Sequence, residues 1–352
     1  MTSLDLASDI VDLTAALVDI ESVSGNEKSI TDAIEAALAP LPWLELWRHR
    51  HTLVARTSFG REERVVIAGH VDTVPCNDNL PARVAGDALH GLGSCDMKGG
   101  VAVALKLAGS LEAPTRDLTY VFYEAEEVEA DLNGLTLISA VRPDVLAGDF
   151  AVVMEPSNAV IEAGCQGTMR VDVTVRGVRA HAARSWNGVN AIHAATDVLA
   201  LLTAYEPRRP VIDGLQYHEG LNAVGITGGV AGNVIPDGCT VSINHRFAPD
   251  RSEADAEAHL RELFAGFHIE VSDSAPGALP GLGLPAAAAF REVVGGSANP
   301  KFGWTDVARF SAMGIPAVNF GPGNPELAHT QGEFVPLAHL HSCLDQMTRW
   351  LS

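Results

Sequence analysis

The chain has 352 residues, of which 47% are hydrophobic and 19% are charged, and its formal net charge is −20. Because a single hydrophobic core stops growing at about 250–300 residues, this length predicts two domains. The acidic excess argues against a nucleic-acid partner, whose phosphates need lysine and arginine, and against an anionic membrane surface. No apolar run reaches the ~18–20 residues of a membrane span, and no secretory signal is visible at the N-terminus.

The five cysteines are scattered along the chain and form no Cys-x-x-Cys pair. An odd, dispersed set of cysteines is not a disulfide framework, and it favours a reducing compartment. We therefore expect a soluble, cytoplasmic protein.

The first part of the chain alternates predicted helices and strands. Helical spacing of apolar residues predicts an amphipathic helix over residues 4–20 and a second helix that ends before Pro40, with Ser24 or Asn26 as the candidate N-cap of the second. Strands are predicted at 43–48, 52–57, 64–69, near 87–90, at 118–123 and at 151–154, and helices from Asp96 to Ser110 and at 131–140. This alternation predicts an α/β domain with a mostly parallel central sheet.

The pattern changes near Gly164, where polar and apolar residues begin to alternate in a half-exposed strand over 167–177. A helix at 188–204, strands at 221–228 and 239–247, a helix at 251–265 and a strand at 267–272 follow. This order predicts an inserted two-layer α+β domain of the ferredoxin-like type. After a Pro/Gly-rich linker, helices at 285–294 and 305–313 and a strand at 317–320 resume the first pattern, and a last helix closes the chain. The predicted domains are 1–166 with 278–352, and the insert 167–277.

The predicted strand at 64–69 runs into His70 and Asp72. In open α/β sheets, ligands bind at the carboxyl ends of the strands, and a carboxylate commonly orients a metal-bound histidine. Taken alone, a His-x-Asp pair is weak evidence, because most such pairs lie in surface loops.

Other strand ends and one helix start supply partners for His70. Glu126 and Glu127 follow the strand at 118–123, Glu155 follows the strand at 151–154, and Asp96 precedes a helix, although an aspartate there is also a common N-cap. With His329, these side chains form a set that suits Zn²⁺ and related divalent ions.

Two histidines and three carboxylates are too few for two separate zinc sites, but they suffice if one carboxylate bridges two ions. Asp96 is the natural bridge. Glu126 then remains free, because neighbouring residues on an extended backbone point to opposite sides. A free carboxylate there can take a proton from a metal-bound water and pass it to a leaving amine. The segment Gly91-Leu92-Gly93 lacks a third glycine, which argues against a dinucleotide-binding dehydrogenase. We attribute Gly99 and Gly100 to close packing of the helix on the sheet.

As a set, these motifs resemble the signatures of the dinuclear zinc amidohydrolase and peptidase family M20. The matching segments are His70-Val71-Asp72-Thr73-Val74-Pro75, Gly93-Ser94-Cys95-Asp96-Met97-Lys98-Gly99-Gly100, Glu126-Glu127, Met154-Glu155-Pro156 and the late His329. The resemblance implies a zinc-peptidase-like catalytic domain that holds two Zn²⁺, with Co²⁺ as an alternative at one site. It implies that His70 and Glu155 hold one ion, that Glu127 and His329 hold the other, and that Asp96 bridges them. It also implies a cis peptide bond at Asp96–Met97, with Glu126 as general base and acid.

The insert resembles the lid and dimerisation domain of the same family. His181, within residues 179–184, matches a histidine that stabilises the oxyanion in the partner subunit's site, although an exposed turn histidine is the plain alternative. Asn233, within residues 232–237, matches a residue that faces substrate. Arg246 matches an arginine that grips a substrate carboxylate; otherwise it is one of several exposed strand arginines. The resemblance thus implies a homodimer formed through the insert.

Within the family, residues 162–168, 219–221, 301–310 and 314–323 resemble the actinobacterial branch that hydrolyses N-succinyl-LL-2,6-diaminopimelate. This implies a small-molecule substrate, with Gly303, Thr305 and Asn324 as further substrate contacts. Three positions depart from the pattern: Cys95 precedes the bridging aspartate, Trp304 replaces a threonine and Gln166 replaces an arginine. The alternatives are an acetylornithine-type deacylase or a dipeptidase or carboxypeptidase of the same family. A non-catalytic metal-binding homologue is disfavoured, because the base and every ligand are present.

Overall fold

The computed structural model describes residues 3–352, which form two compact units. Unit 1 comprises the described residues up to Ala163 together with Pro280–Asn299 and Thr305–Ser352. Unit 2 comprises Gly164–Leu279 and Pro300–Trp304. The sequence assigned residues 164–166, 278–279 and 300–304 to the catalytic domain, whereas they lie in unit 2. The division into domains with separate functions remains a prediction.

In chain order, the strands are β1 (Glu45–His49), β2 (Thr52–Arg56), β3 (Arg64–His70), β4 (Arg83–Ala85), β5 (Ala88–His90), β6 (Asp117–Tyr123), β7 (Phe150–Val153), β8 (Ile161–Ala163), β9 (Gly167–Arg176), β10 (Ala180–His181), β11 (Val211–Ile212), β12 (Leu215–Gln216), β13 (Gly220–Gly228), β14 (Val234–Ile235), β15 (Gly238–Phe247), β16 (His268–Ala275), β17 (Ala298–Pro300), β18 (Ala317–Asn319) and β19 (Phe334–Pro336). The helices are α1 (Ile10–Val18), α2 (Lys28–Leu38), α3 (Lys98–Ser110), α4 (Gly134–Val141), α5 (Pro143–Leu146), α6 (Ala191–Ala194), α7 (Thr196–Ala204), α8 (Glu253–Leu263), α9 (Pro285–Val294), α10 (Val307–Ala312) and α11 (Leu337–Leu351), with 3₁₀ turns at Ala182–Asn187 and Pro325–Leu327.

Unit 1 is built on an eight-stranded sheet in the order β1-β2-β6-β3-β7-β18-β8-β17. The middle strands β6, β3, β7 and β18 pair in parallel, whereas β1, β2 and β8 join antiparallel. The largely parallel sheet is as predicted. Apolar β3 is covered from Val65 to His70, because helices pack over parallel strands on both faces.

Helix α3 lies very close to the chain that follows β7. A Cβ atom built on Gly100 would be 2.2 Å from the carbonyl oxygen of Met154, and one on Gly99 would be 2.7 Å from that of Ser94. Only glycine permits such approaches of two backbones. The predicted packing of the helix on the sheet is therefore confirmed for Gly100, whereas Gly99 packs on the turn before α3 and on Leu340 of α11.

Unit 2 contains a four-stranded antiparallel sheet in the order β13-β15-β9-β16. The inward-facing residues of β9 are Met169, Val171, Val173 and Val175, as their alternation predicted, and they join a core with residues of α6, α7 and α8. The β-α-β-β-α-β order is as predicted, except that the helix at 188–204 is divided into α6 and α7.

Two local predictions are wrong. The first helix begins only at Ile10, where the Asp9 side chain accepts the N–H of Val11. The N-cap of α2 is Glu27, which makes no side-chain capping bond. Ser24 does not cap this helix; its hydroxyl donates a hydrogen bond to Asp72.

Of the short strands, β5 and β18 were predicted, whereas β4, β8, β10, β11, β12, β14, β17 and β19 were not, because two or three residues show no hydrophobic period. Of the described helices, the longest has 15 residues, and none is both long and apolar enough to cross a membrane.

Candidate metal centre

Three neighbouring parallel strands deliver acidic and histidine side chains to one edge of the sheet. β3 ends at His70, β6 is followed by Glu126 and Glu127, and β7 is followed by Glu155. Since β6, β3 and β7 are adjacent and parallel, their carboxyl ends meet at the same place. The turn before α3 adds Asp96, whose peptide bond to Met97 is cis, as the family resemblance implied.

Asp96 lies between the two histidines and presents a different oxygen to each. Its Oδ1 is 3.1 Å from Nε2 of His70, and its Oδ2 is 3.4 Å from Nε2 of His329. His70 Nε2 is also 3.9 Å from Oε1 of Glu155, and His329 Nε2 is 2.8 Å from Oε1 of Glu127. The five side chains therefore form two histidine–carboxylate pairs that share one aspartate.

The charges of this cluster are strongly coupled. Burial opposes protonation of His70, but hydrogen bonds with Asp72 and Asp96 raise its pKa well above the ordinary value. Hydrogen bonds with Asp96 and Glu127 raise the pKa of His329 to about 10. Burial would raise the pKa of Asp96, but hydrogen bonds from the two histidines lower it. Protons on the imidazoles thus balance negative charge that a divalent cation would otherwise balance.

The donor set fits such a cation. His70, Asp96 and Glu127 each offer a ligand atom, and these atoms lie within 4.8 Å of one another. Imidazole nitrogens and carboxylate oxygens are the ligands that Zn²⁺ and similar divalent ions accept.

Asp72 is fully buried behind the cluster, and it contacts the His70 imidazole, two backbone N–H groups and one hydroxyl. Its backbone oxygen is 3.1 Å and its Oδ1 is 3.5 Å from Nδ1 of His70. The carboxylate also accepts the backbone N–H groups of Glu126 and Glu127 at 3.0 and 3.2 Å, and the hydroxyl of Ser24 at 2.7 Å. The sequence predicted that Asp72 orients His70; its bonds to the acidic pair were not foreseen. The Asp72 carboxylate therefore fixes the position of His70 relative to the loop that carries Glu126 and Glu127.

Glu126 sits in an environment that favours its protonated form. Burial raises the pKa of Glu126 well above its usual range, and the charge of His70 opposes this shift. The carboxylates of Asp306, Glu155 and Glu127 add to it. A carboxyl group with a raised pKa is better suited to accept a proton near neutral pH than an ordinary surface glutamate.

Asp306 is a site neighbour that sequence reasoning missed. It is fully buried and accepts hydrogen bonds from the side chains of Asn133 and Arg309. Asn133 caps α4, at the end of the loop that carries Glu126. The available signal was an aspartate followed immediately by the apolar start of a helix.

Two predicted residues of unit 2, His181 on β10 and Asn233 just before β14, lie close together. His181 pairs with Val234 across β10 and β14, and the backbone oxygen of neighbouring Asn233 accepts the N–H of Ala182 at 2.8 Å. His181 is exposed, and its Nδ1 accepts the N–H of Ala183 at 3.0 Å. The motifs 179–184 and 232–237 therefore form one structural feature.

The remaining predicted contacts are divided between the two units. Arg246 lies half-buried on β15, where its Nε donates to Asn244. Gly303 is an exposed residue of unit 2, whereas Thr305 is buried in unit 1. Asn324 lies beside the metal-ligand cluster, because its backbone oxygen is 3.1 Å from the sulfur of Cys95. The roles of these residues remain predictions.

Two of the sequence departures have structural partners within unit 2. The side chain of Gln166 is buried and accepts the N–H of His218 at 3.3 Å. The indole of Trp304 donates to the carbonyl of Pro276 at 3.1 Å.

The parallel sheet and the shared-aspartate cluster form a candidate divalent-metal site of the kind that metal-dependent hydrolases use. Residues 66–352 match the sequence profile of peptidase family M20/M25/M40, and the chain belongs to this family. It is 52% identical over 351 residues to a putative succinyl-diaminopimelate desuccinylase of Mycobacterium tuberculosis, with 99% of each chain covered. It is 46% identical over 360 residues to the succinyl-diaminopimelate desuccinylase of Corynebacterium glutamicum, covering 99% of this chain and 98% of the relative.

Solved structures share the fold at low sequence identity. A tripeptidase from Staphylococcus aureus superposes with a TM-score of 0.80 at 20% identity, covering 97% of this chain and 96% of the other. A metallo-carboxypeptidase from Sulfolobus solfataricus gives a TM-score of 0.76 at 13% identity, covering 97% and 98%. At these identities the similarity concerns the fold alone.

Proposed function

We propose that this chain hydrolyses the amide bond of N-succinyl-LL-2,6-diaminopimelate, releasing succinate and LL-2,6-diaminopimelate for lysine and diaminopimelate biosynthesis. The observation that carries the chemistry is the position of Asp96 between two histidine–carboxylate pairs, with Glu126 beside them. The choice of substrate is supported by identities of 52% and 46%, over nearly the full length, to two relatives that bear this activity in their names.

The proposed metal ligands follow the two pairs. His70 and Glu155 would hold one ion, Glu127 and His329 would hold the other, and Asp96 would contribute to both. We propose Zn²⁺ at both positions, with Co²⁺ as an alternative at one. Two divalent ions held there would acidify a water molecule and polarise the carbonyl of the scissile amide.

Glu126 is the proposed general base and acid. It would take a proton from the attacking water and return it to the departing amine. The raised pKa of Glu126 supports this role, since such a carboxyl group can hold the proton between the two transfers. Asp72 would keep His70 and the Glu126 backbone in position through its hydrogen bonds to both.

His181 is the proposed oxyanion stabiliser, acting in the site of the other subunit of a homodimer. Because its Nδ1 accepts the N–H of Ala183, the neutral ring carries its proton on Nε2. An exposed Nε2–H is therefore available to donate to developing negative charge. Arg246 would bind a substrate carboxylate through its planar guanidinium, with Asn233, Gly303, Thr305 and Asn324 as further contacts.

The homodimer is proposed to form through unit 2, whose strand β13 is an edge of its sheet. Val224 is 60% exposed and Ile226 is 52% exposed on this strand, and Ile192 of α6 is exposed as well. An edge strand with exposed apolar side chains is a ready surface for pairing with a second chain. A cytoplasmic location is proposed because all five cysteines are free thiols.

A substrate panel tests the proposal. Zinc-loaded enzyme is incubated with N-succinyl-LL-2,6-diaminopimelate, N-acetylornithine and dipeptides, and the released acids and amino acids are quantified. We expect succinate from the first substrate at a rate far above the others. Acetate or free amino acids alone would assign the chain to another activity, and absence of succinate at saturating zinc would refute the proposal.

The matched variants are Glu126→Gln and Glu129→Gln. Both remove one carboxylate from the same loop, but Glu129 is exposed. Loss of a general base costs roughly 10²–10⁴-fold in rate, so we expect this loss for Glu126→Gln only, with unchanged metal content. Full activity of Glu126→Gln would show that the base is misassigned.

A further inference from the structure

Glu333 is a buried side chain that accepts hydrogen bonds from the backbone leading into Asp96. Its Oε1 accepts the N–H groups of Cys95 and Asp96 at 2.9 and 3.0 Å. Its Oε2 accepts the N–H of Gly93 at 3.1 Å. The residue is 2% exposed, so water does not compete for these three hydrogen bonds. The peptide plane that carries Asp96 is therefore held from behind by one side chain.

Glu333 also belongs to the turn that carries His329. Its own N–H donates to the carbonyl of Thr330 at 3.2 Å, and its carbonyl accepts the N–H of Gly91 at 3.2 Å. One residue thus ties the segment 91–96 to the segment 329–333. Asp96 and His329, one at the end of each segment, are two of the three proposed ligands of the same ion.

Only a carboxylate can make this set of contacts. Both oxygens accept backbone N–H groups, and a glutamine would place an NH₂ donor opposite one of them. An apolar side chain of similar size would fill the same space but would accept none of the three backbone N–H groups.

We infer that Glu333 is a positioning residue that fixes the bridging carboxylate of Asp96 relative to His329 and thereby sets the affinity for the ion held by Glu127 and His329. The inference rests on the proposed dinuclear centre. Outer contacts that orient metal ligands are worth roughly 10–100-fold in metal affinity. The ion held by His70 and Glu155 shares Asp96 but should be affected less, because its other two ligands lie on neither of the segments that Glu333 ties together.

The test compares wild type with Glu333→Gln and with the control Glu326→Gln. Glu326 is an exposed carboxylate of the same loop region. Metal-free proteins are titrated with Zn²⁺ and with Co²⁺ in metal buffers, and the two binding steps are followed by calorimetry and by cobalt absorption. We expect Glu333→Gln to lower the affinity of one step by about 10–100-fold, with the other step little changed. Glu326→Gln should titrate like wild type.

Restoring activity with excess metal distinguishes a positioning role of Glu333 from a role in folding. Excess metal should restore turnover of Glu333→Gln, which a misfolded protein would not show. Glu333→Asp, which keeps the charge but is one methylene too short for all three bonds, should also weaken the same step. Wild-type affinity of the Glu333 variants in both binding steps would overturn the inference. It would also be overturned if Glu333→Gln and Glu333→Asp were both unfolded without metal.

The titration also distinguishes this inference from the proposed function. A wild-type chain that binds two ions but releases no succinate would refute the proposed substrate and leave the role of Glu333 intact. A wild-type chain that binds fewer than two ions would overturn the dinuclear centre and this inference together.

Discussion

His245 lies in the core of unit 2, and we expect its protonation to destabilise this unit in acid. The side chain is fully buried, and neither ring nitrogen has a hydrogen-bond partner in the described part of the chain. Burial lowers the pKa of His245 to about 4. Glu219 opposes the shift, and the positive charges of His259, Arg251 and Arg208 add to it. The folded unit therefore contains a neutral histidine.

The sign of the effect follows from the two pKa values. The unfolded chain titrates His245 near its ordinary pKa of 6.5, whereas the folded chain titrates it near 4. The stability that neutral His245 contributes to the folded state is thus fully present above pH 6.5, and it is lost as the pH falls toward 4. With these values, linkage gives a loss of about 2 kcal/mol at pH 5 and about 3 kcal/mol at pH 4.

His245→Leu tests this expectation, because leucine is uncharged and of similar size. Hydrogen exchange of the β15 amides in metal-free protein reports the opening free energy at pH 7 and pH 5. Wild type should lose about 2 kcal/mol more than His245→Leu between the two pH values. His268→Leu, at an exposed position of β16, should behave like wild type. Equal losses in wild type and His245→Leu would show that protonation of His245 does not destabilise unit 2.

Three further predictions concern the site, the helix behind it and the proposed dimer. Asp72→Asn places an NH₂ group among the N–H groups of Glu126 and Glu127, so metal affinity measured by buffered titration should fall by roughly 10–100-fold; an unchanged affinity would contradict the role of Asp72. Gly100→Ala forces a Cβ against the Met154 carbonyl and should cost more than the ~1–3 kcal/mol of ordinary overpacking. Gly283→Ala, in open space, is its control in urea unfolding, and equal midpoints would contradict the close approach. Val224→Asp with Ile226→Asp should shift the chain from dimer to monomer in light scattering and abolish turnover while sparing metal content; a dimer that persisted would move the interface elsewhere.

The sequence predicted most of the architecture because its signals there are local. The apolar run at 65–68 marked β3, and the alternation after Gly164 marked β9. Acidic residues at the ends of successive strands indicated a shared edge, since parallel strands end together. His70, Asp96, Glu127, Glu155 and His329 do lie together in the structure.

The contacts that escaped prediction depend on distant parts of the chain. Ser24 resembled a helix cap, yet its hydroxyl is bonded to Asp72, 48 positions away. Glu333 grips backbone N–H groups more than 230 positions away, and backbone groups leave no pattern in a sequence. The split between α6 and α7 at Ala195 also has no local signal, since alanine favours helix. Tertiary hydrogen bonds to the backbone are therefore the part of the site that sequence reasoning could not supply.

A two-ion centre bridged by Asp96 is proposed to serve amide hydrolysis, with Glu126 as the base. The most direct measurement determines metal content per chain and succinate release in parallel, for wild type and for Glu126→Gln. We predict two ions per chain in both proteins and succinate from wild type alone. Fewer than two ions in wild type, or succinate from Glu126→Gln at the wild-type rate, would contradict this proposal.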